Sequence, residues 1–247
     1  MKKTQNSLLV SARDIKKIYQ VGKVEAPALR GISLDVTSGD FLAIVGPSGS
    51  GKTTLLNLLG ALDVPTSGSI KVLDNDLSRM SRRKRADLRL KFLGFVFQAY
   101  NLVPVLTALE NVEFVLELQG VGTERTGQAM NVLEQLGLSE FANRRPNELS
   151  GGQQQRVAVA RAVASKPKLV LADEPTANLD GENAETLLTM MRRLNEDQGI
   201  TFVFSTHDPR VVAHAGRVVT LVDGRISKDE AKSRSTLSAE QLKAQKE

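Results

Sequence analysis

Eight residues near the start of the chain have the types and spacing to hold a phosphate chain: "GPSGSGKT", residues 46–53. The pattern is Gly-x-x-x-x-Gly-Lys-Thr, preceded by the apolar run "FLAIV" and followed by "TTLLNLLGAL". A strand before and a helix after is the context in which such a loop turns its backbone N–H groups inward. Gly46, Gly49 and Gly51 permit the turn and keep side chains out from between backbone and phosphate. Lys52 supplies a full positive charge for the outer phosphates, and Thr53 offers a hydroxyl to Mg2+. The following helix adds the positive end of its dipole. Pro47, Ser48, Ser50 and Thr54 complete the set expected to line the nucleotide. At average residue frequencies the four fixed positions co-occur by chance in only about 1% of chains this long.

A second apolar run, "LVLADEP", places Asp173 and Glu174 directly at its end. In a parallel sheet, ligands gather beyond the carboxyl ends of the strands. Asp173 would then hold Mg2+, directly or through water, and Glu174 would polarise or orient an attacking water. Alone, an Asp-Glu pair reads as two surface acids; the phosphate loop is what gives it a task. "FVFQ" ends in Gln98, whose amide oxygen suits the Mg2+ shell. "FVFSTHD" carries His207 to a strand end, from which its ring would donate to a γ-phosphate. Away from strand ends, Gln98 would be an ordinary loop residue and His207 a surface or capped histidine. The other histidine, His214, is expected on a solvated helix. Two histidines and no cysteine leave no credible zinc site.

The elements that must position these groups follow from the same apolar runs. Residues 41–46, 169–173 and 201–207 read as strands buried on both faces, each followed by a helical pattern. Strand and helix in alternation imply an α/β domain. The first third differs: "LLVSARDIKKIYQ", "ALRGISLDV" and "SIKVLDNDL" read as antiparallel strands joined by short turns. Residues 106–149 read as helical, bracketed by Pro104 and Pro146, and form an inserted subdomain of about residues 99–160. The main domain is expected over 8–228. The polar stretch from Ser227 on, including the tail 229–247, reads as frayed helix or disorder.

Composition bounds the rest. The chain has 247 residues, 41% apolar and 25% charged, as in a soluble globular protein. No apolar run approaches the roughly 20 residues of a membrane helix, and no signal peptide is evident, so a cytoplasmic location is expected. Much of the +5 net charge lies in "SRRKRADLRLK", residues 81–91. A solvated helix face explains this run, and so does a patch for anionic lipid, nucleic acid or an acidic partner.

One more stretch could grip phosphate. "LSGGQQQRVAVARAVAS" opens with Ser150, Gly151, Gly152 and Gln153 and then reads as helix, leaving a helix N-terminus free of bulky side chains. Here the residues carry a resemblance. "LSGGQ" resembles the signature sequence of the ATP-binding-cassette (ABC) ATPases, and the rest of that pattern follows in order. The phosphate loop is present, Gln98 matches the Q-loop residue, "NLD" at 178–180 resembles the D-loop, and His207 matches the switch histidine. Tyr19, in "KIYQVG", resembles the aromatic residue that stacks on adenine. The match covers residues 8–226 and implies a P-loop NTPase (RecA-like) core with the antiparallel and helical additions already read. It also implies why there are two grips. In this family the signature of one subunit closes over the ATP held by the phosphate loop of a second, so two copies form a homodimer with ATP at the interface.

Among ABC proteins, the lack of a long coiled-coil insert and of a second cassette resembles the ATPase subunit of a transporter. "GPSGSGKTTLLNLLGALDVPTSG", "LGFVFQAYNLVPVLTALENV" and "LADEPTANLD" look like the lipoprotein-releasing (LolD-like) and macrolide-export (MacB-like) branch. Ala177 stands where that branch usually has Gly. The resemblance implies ATP and Mg2+ as cofactors. It implies a separate membrane permease of few spans and a large extracytoplasmic domain, an outer or periplasmic adaptor, and a place on the inner face of the membrane. The activity implied is export, lipoprotein release or mechanical work on the envelope, with no nucleic acid expected. Tyr100, Leu102, Val103 and Leu106 either face the permease or pack the helical subdomain. The alternative is a soluble ABC ATPase acting on nucleic acid or ribosomes; a silent regulatory cassette is disfavoured by Lys52, Glu174 and His207.

Overall fold

The computed structural model describes residues 7–22 and 24–232. The chain runs β1 (Leu8–Val21), β2 (Val24–Thr37), β3 (Phe41–Val45), α1 (Lys52–Leu59), β4 (Ser67–Val72) and β5 (Asn75–Asp76). It continues through α2 (Arg82–Phe92), β6 (Leu93–Val96), α3 (Ala108–Leu118), α4 (Arg125–Gln135) and α5 (Gly151–Val163). It closes with β7 (Leu169–Asp173), α6 (Gly181–Gln198), β8 (Thr201–Ser205), α7 (Pro209–His214), β9 (Arg217–Val222) and β10 (Arg225–Ala231).

Six strands form one sheet in the order β10-β9-β3-β8-β7-β6. All neighbours are parallel except the β10–β9 pair. A second sheet, β2-β1-β4-β5, is antiparallel throughout, as its turn-separated runs imply. The central strands sort their residues by parity. Leu42, Ile44, Leu169, Leu171 and Val203 pack with α1 and the antiparallel sheet. Phe41, Val170, Ala172, Phe202 and Phe204 pack on the opposite face with α3, α4, α5 and α6. Burial on both faces is why β3, β7 and β8 are continuous apolar runs in sequence. Each large side chain so buried contributes about 1.5–3 kcal/mol. The helices of the inserted block share this cluster with the sheet, so they stand in fixed register to it.

These layers give a P-loop NTPase core and bring the ends of β3, β8 and β7, neighbours in the sheet, to one edge. The basic run forms α2, which buries Leu88 and exposes Arg82, Arg83 and Lys84, as a solvated face requires. One expectation fails. Residues 227–231 are strand, with Glu230 paired to Val218 and Ala231 to Arg217. The Arg217 guanidinium also grips Asp229 at 2.7 and 2.8 Å. This edge strand is exposed along nearly its whole length, so no apolar alternation marks it in sequence. Residues 233–247 lie outside the described residues.

Candidate functional site

The loop after β3 has φ of +151° at Gly46, +76° at Gly49 and +102° at Gly51. A Cβ on Gly46 would stand 2.0 Å from the Leu221 carbonyl oxygen, and one on Gly51 2.7 Å from that of Ala28. At Gly49 a Cβ would meet nothing within 4 Å, so the demand there is conformational. The loop is tied down by Ser50 N–H to the Pro47 carbonyl at 3.2 Å and by Gly224 N–H to the Ser50 carbonyl at 3.0 Å. The Lys52 ammonium donates to the carbonyls of Gly46 and Pro47, at 2.8 and 3.0 Å.

Helix α1 starts at Gly51 with no side-chain cap and no acid in its first turn. Its first N–H groups therefore lack intrahelical partners. By contrast α2, α3, α5, α6 and α7 each start on a Ser, Thr or Asp whose oxygen accepts a backbone N–H. A cleft of about 300 Å³ lies here, lined by Ser48, Lys52, Thr53, Glu174 and Ser205 among others. The hydroxyls of Ser50 in the loop and Ser205 in the wall are buried without a partner. An uncapped helix start, a lysine and orphaned hydroxyls suit an anionic guest rich in acceptors.

At the end of β7, Asp173 accepts from the Thr53 hydroxyl, at 3.1 Å to Oδ2 and 3.3 Å to Oδ1. These are hard oxygens of the kind Mg2+ takes. Among the described residues no group of three or more His, Cys, Asp or Glu could hold a metal alone. Such an ion would complete its shell from phosphate oxygens and water.

Glu174 follows with φ of +46°, its N–H bonded to the Ser205 carbonyl at 2.8 Å. Its Oε1 lies 2.7 Å from His207 Nδ1, and its Oε2 accepts from the Thr206 hydroxyl at 3.1 Å. The carboxylate is 16% exposed and the imidazole 76% exposed. Glu174 lines the phosphate-loop cleft and also a cavity of about 810 Å³ shared with His207. Thr206 was not singled out in the sequence; its one signal is a hydroxyl between a strand end and His207. Next to it, Asp208 accepts from Thr176 Oγ1 at 2.6 Å and Arg210 Nη2 at 2.8 Å. Burial pushes the Asp208 carboxyl up, but hydrogen bonds from Arg210 and Thr176 outweigh it and hold the pKa below its ordinary 3.8.

Gln98, residues 150–153 and Tyr19 do not line that cleft. Gln98 is exposed beyond β6, and its carbonyl accepts from Asn178 Nδ2 at 2.9 Å. Ser150 caps α5 with Gln153: Gln153 N–H donates to Ser150 Oγ at 3.3 Å, and Ser150 N–H to Gln153 Oε1 at 2.8 Å. A Cβ on Gly151 would lie 3.2 Å from the Tyr100 hydroxyl, and one on Gly152 2.8 Å from Asn183 Oδ1, so both glycines make room for neighbours. Residues 150–153 are absent from the lining of the phosphate-loop cleft. Tyr19 is absent from it too; its hydroxyl reaches Asp63 Oδ2 at 3.2 Å, and Lys17 Nζ stands 5.0 Å from its ring centroid.

His214 departs from expectation. It is 5% exposed, with Nε2 at 2.7 Å from Glu185 Oε1 and Nδ1 buried without a partner. The short helix α7 packs on α6 and turns the ring inward. A partner 29 positions away leaves no local signal.

The family profile described as ABC transporter matches residues 29–177. The lipoprotein-releasing system ATP-binding protein LolD of Anaeromyxobacter dehalogenans is 46% identical over 228 residues, 92% of this chain and 95% of that protein. An uncharacterized ABC transporter ATP-binding protein of Thermotoga maritima is 50% identical over 214 residues, 86% of this chain and 91% of that protein. The macrolide export ATP-binding/permease protein MacB of Syntrophobacter fumaroxidans is 48% identical over 221 residues, 88% of this chain. The chain spans only 31% of that MacB protein's length. Among solved structures, an ATP-binding cassette of Methanocaldococcus jannaschii superposes with a TM-score of 0.84 at 41% identity. The match covers 90% of this chain and 98% of that one, which is a dimer in a post-hydrolysis state bound to ADP and Pi.

Proposed function

The chain belongs to the ABC transporter family of ATP-binding cassettes, and on that premise we propose that it is the ATP-hydrolysing subunit driving a separate membrane permease. The observation that carries the reading is the line of contacts along one sheet edge: Lys52 and Thr53 after β3, Asp173 and Glu174 after β7, Thr206 and His207 after β8.

The phosphate loop, Gly46 to Thr54 in turn, cradles the phosphates of ATP with its N–H groups, and Lys52 exchanges its two carbonyl partners for phosphate oxygens. Thr53 and Asp173 would hold Mg2+, with Gln98 brought up to complete the shell, and the ion would supply positive charge for the phosphates. Glu174 accepts a proton-side hydrogen bond from the attacking water and aims it. Thr206 and His207 hold the two carboxylate oxygens, which fixes the direction of that acceptor. Because Nδ1 faces Glu174, donation from Nε2 to the γ-phosphate at the same time requires both ring nitrogens of His207 to carry a proton. Tyr19 stacks on the adenine. Catalysis is then positioning and electrostatics, as phosphoryl transfer demands.

Ser150, Gly151, Gly152 and Gln153 serve the ATP of a second copy. Their absence from the chain's own phosphate cleft supports that division of labour. ATP closes the two copies into a dimer and hydrolysis releases them, giving a stroke. The permease receives it at a groove of about 420 Å³ lined by Leu62, Leu90, Phe95, Phe97 and Val115. Val105, 70% exposed, is the large hydrophobic side chain of the 99–112 segment most open to that partner, while Leu102 packs on the core. No helix among the described residues is long and apolar enough to cross a membrane, and as the motor of a separate permease the chain would sit against the membrane's inner face. Export, lipoprotein release and envelope mechanotransmission are the activities this motor suits.

The test is capture of Glu174→Gln from detergent-solubilised membranes with ATP present. A permease with few spans and a large external domain is the expected companion. Ribosomal or nucleic-acid partners without any membrane protein would overturn the reading.

A further inference from the structure

The turn that leaves Gln98 is held by a contact the chemistry above does not use. Tyr100 and Asn101 have φ of +59° and +52°, left-handed conformations that residues with side chains rarely adopt. Such geometry persists only where surroundings impose it. The guanidinium of Arg161, on α5, supplies that force. Its Nη2 donates to the Tyr100 carbonyl at 2.9 Å, and its Nη1 donates to the Asn101 carbonyl. A planar fork with two donors matches two adjacent carbonyls in a way a lysine cannot. Burial of Arg161 lowers its pKa, so the charge is partly desolvated where it meets these oxygens.

Two more contacts grip the same segment. Asn178 Nδ2 holds the Gln98 carbonyl at 2.9 Å. The Tyr100 hydroxyl stands beside Gly151, 3.2 Å from where a Cβ would be. Tyr100 is therefore fastened to α5 through its backbone by Arg161, while its hydroxyl hydrogen-bonds Asn178.

We propose that Arg161 is a positioning residue for Gln98: it locks the turn at Tyr100 and Asn101 onto the helix that begins with Ser150. Gln98 is thereby presented from a fixed point on the element that grips the partner's nucleotide. The proposal rests on the reading of Gln98 as a Mg2+ ligand. It adds a residue far from any phosphate to the set on which Mg2+ use depends.

Amide hydrogen exchange of the nucleotide-free full chain, read by mass spectrometry, tests the lock without turnover. Residues 98–106 of Arg161→Met should exchange at least about tenfold faster than in the wild type, because both charge-assisted hydrogen bonds are lost. Arg161→Lys should fall between, and residues 46–54 should not change. Equal exchange of 98–106 in all three proteins overturns the proposal. ATPase rate against Mg2+ concentration tests the use made of the lock. Half-saturating Mg2+ should rise about tenfold in Arg161→Met, with no further rise when Gln98→Ala is added, because coupled residues are not additive. Effects that multiply independently overturn the route through Gln98. An unchanged Mg2+ requirement in Gln98→Ala alone overturns the metal role of Gln98 instead, and the exchange result still judges the lock. Should Arg161→Met not fold, Arg161→Lys carries both measurements, with the same outcomes deciding.

Discussion

Replacing Glu174 by Gln separates chemistry from architecture at the centre of the site. The two side chains have the same shape, so the cavity and cleft that Glu174 lines keep their form. Oε1 can still accept from His207 Nδ1, now at 2.7 Å, and the Thr206 hydroxyl at 3.1 Å can turn to accept from the new amide N–H. Every polar atom keeps a partner, so folding stability should change by less than about 1 kcal/mol. What is lost is the negative acceptor proposed to aim and polarise water. A well-placed group of this kind is worth at least about 100-fold, or about 2.7 kcal/mol of barrier. The assay is phosphate release at saturating Mg-ATP, with nucleotide affinity and thermal unfolding measured on the same preparation. The expected result is turnover down at least about 100-fold, with affinity and Tm near wild type. Turnover within a few-fold of wild type would refute the role given to Glu174.

Three further outcomes follow from the geometry. Lys52→Ala removes the ammonium that meets the phosphates and also the tie to the Gly46 and Pro47 carbonyls, so ATP affinity by equilibrium titration should weaken more than about tenfold. Gly152→Ala places a methyl 2.8 Å from Asn183 Oδ1, while Asp180 caps α6 by accepting from the Asn183 N–H and Nδ2. Its ATPase should fall about tenfold from displacement of that cap, with ATP affinity of the single chain unaltered. Asp208 has its folded pKa held below 3.8, so the unfolded chain takes up the proton first. The stability it gives is full above pH 3.8 and is lost as pH falls through the lower folded value. Thermal unfolding of Asp208→Asn should therefore be less stable at neutral pH but shallower in its acid decline, and parallel acid slopes would remove Asp208 from that role.

The parts of the site legible in sequence are those built from contiguous residues. The phosphate loop is legible because three glycines, a lysine and a threonine must stand at fixed offsets to do their work. The strands β3, β7 and β8 are legible because burial on both faces makes them unbroken apolar runs. Contacts between distant segments are not. Arg161 clamps carbonyls 60 and 61 positions away, and of the left-handed pair only Asn101 has a local tendency to that conformation, Tyr100 none. The inward turn of His214 depends on where α7 packs, and β10 is an edge strand whose ladder, rather than its side chains, holds it. Thr206 was hidden because a hydroxyl at a strand end has many uses, of which gripping Glu174 is visible only once β7 and β8 are neighbours.

The most direct test of the central claim is sedimentation of Glu174→Gln with and without ATP. On the proposed reading, residues 150–153, which do not line the chain's own phosphate cleft, complete the site of a second copy. The expected result is a monomer without nucleotide or with ADP, a dimer with saturating ATP, and no dimer when Ser150→Arg is added. A Glu174→Gln chain that binds ATP and stays monomeric, or one that dimerises equally well with Ser150→Arg, would contradict it.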